Sequence, residues 1–101
     1  MNKIHDIAQR IERIKSELAA LRDMRPGSLS VQGRSWGGKY VQLSYTHRGK
    51  GHTEYVRGEK RDEVERQVKT YRRFRELTKE WVDLAIELCK LKQEATGDSG
   101  A

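Results

Sequence analysis

The 101-residue sequence has one cysteine, one proline and one phenylalanine. One thiol closes no intramolecular disulfide and builds no cysteine-based zinc cluster. Cys89 falls in an apolar helical run, which predicts a buried small side chain rather than a reactive thiol. No run approaches 18 consecutive apolar residues, so no membrane span is expected. The start, Met1-Asn2-Lys3-Ile4-His5-Asp6, lacks the apolar stretch of a signal peptide, and a cytoplasmic location is the expectation. No cofactor and no metal are expected. His47 and His52 flank a turn without a third ligand nearby in sequence. Gly33-Arg34-Ser35-Trp36-Gly37-Gly38-Lys39 lacks the spacing of a phosphate loop and the Ser/Thr that follows its lysine. No catalytic constellation stands out, and the chain is read as a non-enzyme.

What the chain has is charge. Charged residues make up 36% of it and hydrophobic residues 35%, and the mean hydropathy is −0.94. So polar a chain is expected to fold as long amphipathic helices, each burying a stripe. Room exists for a single domain, residues 1–101. Residues 2–24 place Ile4, Ile7, Ile11, Ile14, Leu18, Leu21 and Met24 three or four apart, which predicts a first helix that Asn2 can cap. Residues 59–95 repeat that spacing with Val64, Val68, Tyr71, Phe74, Leu77, Trp81, Leu84, Leu88 and Leu91. Paired antiparallel, Ile4 with Leu91 through Met24 with Tyr71, seven seam pairs all sum to 95. The expected fold is therefore α+β, mainly α: an antiparallel two-helix coiled-coil hairpin with a small β-hairpin inserted between the helices.

Residues 25–58, which hold most of the glycines and Pro26, form that insert. Tyr40–Thr46 alternates, with Val41, Leu43 and Tyr45 on one face. A glycine-containing loop, His47-Arg48-Gly49-Lys50-Gly51, leads to a second strand over 52–57. Segment 28–36 is a candidate third strand. Residues 96–101 read as a flexible tail.

The net charge of +6 is unevenly spread. Residues 25–79 carry a net +8, residues 1–24 a net +1, and residues 80–101 a net −3. An excess of this kind beside aromatics points to an anionic partner. The candidate nucleic-acid contacts are Arg34, Trp36, Lys39, Tyr40, Arg48, Lys50 and Arg57, with Arg66, Lys69, Arg72 and Arg73 on the second helix. The competing reading of the helix cations is a solvated face laced with weak i±4 ion pairs. Tyr45 is expected in the core, Tyr40 at the surface. Val82, Ile86 and Cys89 form an apolar strip beside the seam, which predicts a homodimer.

Arg25-Pro26-Gly27-Ser28-Leu29-Ser30, Tyr40-Val41-Gln42-Leu43-Ser44-Tyr45, Thr53-Glu54-Tyr55-Val56 and Tyr71-Arg72-Arg73-Phe74-Arg75-Glu76-Leu77 occur in that order. The set resembles a family of short uncharacterised prokaryotic proteins, a domain of unknown function whose members occur among mobile-element genes and are labelled transposase-associated. The resemblance covers about residues 10–90 and implies a genomic neighbourhood rather than a mechanism. Many members carry a cysteine cluster before the first strand of the hairpin. Val31–Gly38 has no cysteine, so a metal site implied by those members is absent here. Strand, basic turn, strand and helix also resemble the arm-binding domains of phage integrases, which lay a sheet against the DNA groove. Three roles follow as expectations: a non-catalytic nucleic-acid-binding accessory or regulator of a mobile element, with DNA and RNA both open; a protein-interaction adaptor using the helical stem; or an inhibitor or component of a larger nucleoprotein complex.

Overall fold

The computed structural model describes residues 2–33 and 37–96. Helix α1 spans Lys3–Ala20, β1 Ser28–Gly33, β2 Lys39–His47 and β3 Lys50–Val56. A 3-10 turn over Gly58–Lys60 then leads into helix α2, Arg61–Thr96. No described helix is long and apolar enough to cross a membrane. The chain divides into two compact units, Arg22–Arg73 and the remainder, and α2 supplies residues to both.

In the helical unit, the Asn2 side chain accepts the His5 N–H at 3.2 Å and caps α1. Ile7, Ile11 and Ile14 are buried with Leu77 and Leu84 of α2, and Leu18, Leu21, Trp81, Leu88 and Leu91 pack around them. Lys3 pairs with Glu87 at 3.3 Å and Arg10 with Glu80, so the two segments run in opposite directions. Lys15 lies over the Trp81 ring, 5.6 Å from its centre.

This unit is not the expected coiled-coil hairpin. The order is one helix, then a three-stranded antiparallel sheet, then one long helix. The close backbone approaches belong to the strand pairs, not to α1 against α2. A coiled coil needs an unbroken seam held at short helix spacing, and bulky Trp81 in the interface works against that spacing. The seam also ends early. The backbone of Leu21 is extended (φ −66°, ψ 142°), so Met24 is not on α1 and is 37% exposed. Tertiary contacts override helix propensity there: the Arg25 N–H bonds to the Gln67 carbonyl of α2 at 3.2 Å.

In the other unit, β2 is the central strand, antiparallel to both neighbours. Val41 faces Val31 and Val56 in register, and Leu43 faces Leu29 and Glu54. Val41, Leu43 and Val56 are buried against Val68 of α2, with Leu29, Tyr45 and Val64 packed around them. Leu43 is fully buried, worth about 1.5–3 kcal/mol. A two-stranded hairpin alone is marginal in water; β1 and the cover of α2 supply what it lacks.

The β2–β3 loop is shorter than the five residues expected. His47 pairs with Lys50, leaving Arg48 (φ 53°) and Gly49 (φ 78°) as a two-residue turn with both central residues left-handed. That is the type I′ geometry, whose twist matches the strands it joins.

Gly27 is held at φ 139°, and a Cβ there would lie 2.6 Å from Leu43 Cδ1 and 3.1 Å from the Ser44 carbonyl oxygen. Gly27→Ala is therefore expected to destabilise the protein by about 1–3 kcal/mol. Gly51→Ala, whose Cβ would enter open space, should leave stability within about 0.5 kcal/mol. Chemical denaturation of both variants checks this.

Candidate nucleic-acid interface

A strand sends alternate side chains to opposite faces. Since Val41 and Leu43 point toward α2, Tyr40, Gln42, Ser44 and Thr46 point the other way, and none of these four is buried. Register extends that open face across the sheet in rows: Ser28–Ser44–Thr53, Ser30–Gln42–Tyr55, and Gln32–Tyr40. Every residue in these rows carries a hydroxyl or an amide. None carries a carboxylate. The Gln32 amide donates to Ser30 Oγ at 3.0 Å, and the Gln42 amide to Ser44 Oγ at 3.5 Å. The Tyr40 and Tyr55 rings are 6.1 Å apart, tilted by 40°, with Tyr55 61% exposed.

Cations stand at both ends of the sheet; by alternation Lys39 and Lys50 fall on the α2 side and Arg57 on the open side. Arg48 lies in the turn and Lys50 follows it; Lys39 opens β2, and Arg57 follows β3 in extended backbone. All four are exposed and make no ion pair with a described residue. The ends of β2 lie about 27 Å apart at strand rise.

The helix cations are elsewhere. α2 covers the opposite face of the sheet, so the structure does not bring Arg66, Lys69, Arg72 and Arg73 together with the turn and the strand ends. Lys69 pairs with Glu65 at 3.5 Å, one turn away. Arg72 and Lys69 line a shallow hollow with Arg61, Glu65, Val68 and Leu29. Arg34 and Trp36 lie outside the described residues. Val82 and Ile86 are 57% and 52% exposed on α2. Cys89, expected in the core, is exposed. It stands one residue beyond Leu88 on the helix surface and lines an open groove with Trp81 and Ala85.

Sequence reasoning did not find a polar cluster on the α2 side of the sheet. Arg25 Nη1 lies 3.1 Å from Glu54 Oε2, the Tyr45 hydroxyl donates to Glu54 Oε1 at 2.9 Å, and the guanidinium sits 5.0 Å from the Tyr45 ring centre. His52 stacks on Tyr45 at 4.9 Å. Tyr45 is thus half-buried and hydrogen-bonded, not simply core. The available signal was Glu54, an acid at an inward position of β3, which requires a partner. Among the described residues no group of three or more His, Cys, Asp or Glu is placed to hold a metal. Comparison with family models, curated proteins and solved structures finds no match.

The Arg25 guanidinium, and after it the Tyr45 hydroxyl, hold the Glu54 carboxyl below its ordinary value; the same bond to Glu54 raises Tyr45. A carboxylate favoured in this way adds stability above its unfolded pKa, and that stability fades as pH falls through the folded value. Glu54 and Arg25 remain partly solvated, so the contribution stays under about 1 kcal/mol. Glu54→Gln is expected to flatten the acid limb of stability against pH below about pH 5; an unchanged limb would show that other carboxylates set it.

Arg48 provides a second test. A residue with a Cβ is strained in left-handed backbone, whereas asparagine tolerates it. Arg48→Asn is expected to stabilise the fold by up to about 1 kcal/mol while weakening any anion binding at the turn. Melting temperature and oligonucleotide affinity, measured on one preparation, should move in opposite directions.

Proposed function

We propose that the protein is a non-catalytic nucleic-acid-binding accessory or regulatory protein that contacts its ligand through the open face of the sheet and the β2–β3 turn. The observation that carries this reading is a face whose rows, eight residues in all, hold no carboxylate, in a chain with 15 Asp and Glu. Cations that make no ion pair with a described residue stand at both ends of the sheet. A polyanion meets no repulsion there, and cations without internal partners are available to phosphates. Hydroxyl and amide side chains supply both donors and acceptors, as sheet-based readers require. The resemblance noted above supports a mobile element as the setting.

Association of two copies is favoured by a separate observation. Val82 and Ile86 are exposed on one face of α2 beside Asp83 and Lys90. Asp83 and Lys90 are two turns apart and make no ion pair with a described residue. In a two-fold antiparallel arrangement, Asp83 of each copy meets Lys90 of the other. Light scattering at micromolar concentration should give a dimer that Ile86→Glu dissociates; a monomeric wild type would refute it.

Binding to labelled DNA and RNA, duplex and single-stranded, at two salt concentrations tests the main reading. Affinity should fall steeply with salt. Arg48→Glu/Lys50→Glu should reduce affinity at least tenfold at low salt and lower the log–log salt slope by about 2. No binding at low salt, or full binding by the double variant, would overturn the reading.

A further inference from the structure

The open face differs from an ordinary phosphate-binding surface in what occupies its middle. Cations stand at the ends of the sheet. Between them are two tyrosine rings on adjacent strands and a row of uncharged hydrogen-bonding groups. Resting on the nucleic-acid reading above, we infer that this face takes an unpaired strand, with successive bases stacking on Tyr55 and Tyr40.

The physical grounds are these. In a duplex each base is covered on both faces by its neighbours and offers only edges in the grooves. An exposed aromatic ring then has no π-face to meet. An unpaired strand offers both base faces and Watson–Crick edges. Tyr55 is 61% exposed and stands beside Gln42 in register, with Ser30 beyond it on β1. A base lying on the Tyr55 ring would thus have its edge over a glutamine amide and a serine hydroxyl. Tyr40, 6.1 Å from Tyr55 between ring centres, stands beside Gln32 on β1 in the same way. Each ring has an amide neighbour across the strand pair. The arrangement forms two adjacent sites, each a stacking surface with a donor–acceptor group at its side. No carboxylate on this face opposes the sugar–phosphate backbone between them.

Stacking and phosphate contact leave different marks. Counterion release sets the salt slope, and stacking does not contribute to it. The experiment compares oligo(dT), oligo(rU) and a mixed-sequence duplex of the same length by fluorescence anisotropy, on wild type, Tyr55→Ala, Tyr55→Phe and Arg48→Glu/Lys50→Glu. Wild type should bind a single strand more tightly than the duplex. Tyr55→Ala should lose about 5- to 100-fold for the single strand with an unchanged salt slope, and Tyr55→Phe should keep most of the affinity. Arg48→Glu/Lys50→Glu should lower the slope. Because Tyr55 is exposed, Tyr55→Ala should melt as wild type does, which separates loss of stacking from loss of fold. Equal or tighter duplex binding, or Tyr55→Ala indistinguishable from wild type, overturns the inference and leaves nucleic-acid binding standing. No binding to any probe overturns both.

Discussion

The architecture of residues 22–73 depends on the register of β2. That strand is hydrogen-bonded along both edges, so its alternation is imposed on β1 and β3. A slip of one residue would exchange Val41 and Leu43 for Gln42 and Ser44, putting amide and hydroxyl groups against Val68 of α2 and leucine into water. Leu43 leaves no slack. It is fully buried, and Gly27 approaches it so closely that a Cβ there would force it to shift. The segment before β1, the cover by α2 and the composition of the open face all follow from one pairing.

Much of this was legible in the sequence. The alternation of Val41, Leu43 and Tyr45 identified the buried face, and the three-and-four spacing of Ile7, Ile11 and Ile14 identified the inner stripe of α1. The coiled coil was misread for an arithmetical reason. Two seams that both alternate three and four fall into register with each other by construction, whatever the distance between the helices. The sum of positions says nothing about the size of Trp81 or about a backbone that turns extended at Leu21. Nor does local pattern reveal that Arg25 has a partner 29 residues away in Glu54. Spacing reports on one element at a time; long-range pairs are settled by which faces meet.

Charge was legible as a total and as a gradient, but not as a surface. Residues 25–79 carry the excess, yet the sheet divides it. The cations of α2 share their helix with acids, and Lys69 is paired one turn away. Those at the strand ends and turn make no ion pair with a described residue. Arg48 is the clearest case. Its backbone adopts a conformation that arginine disfavours and glycine or asparagine would adopt without cost. Backbone geometry does not account for arginine at that position, and the proposed anion contact would.

The same reasoning applies to the open face. A solvated sheet face in so charged a chain would ordinarily mix lysine and glutamate, because opposite charges across strands stabilise a sheet and keep its edges from pairing with other chains. This face does neither. It carries serine, threonine and glutamine, which contribute less across strands, and two tyrosines, one of them widely exposed at a cost in solvation. Stability and solubility both argue against that composition. The proposed recognition of a polyanion with flat, polar-edged bases would account for it: phosphates would exclude carboxylates, aromatic rings would meet the bases, and amides and hydroxyls would meet their edges.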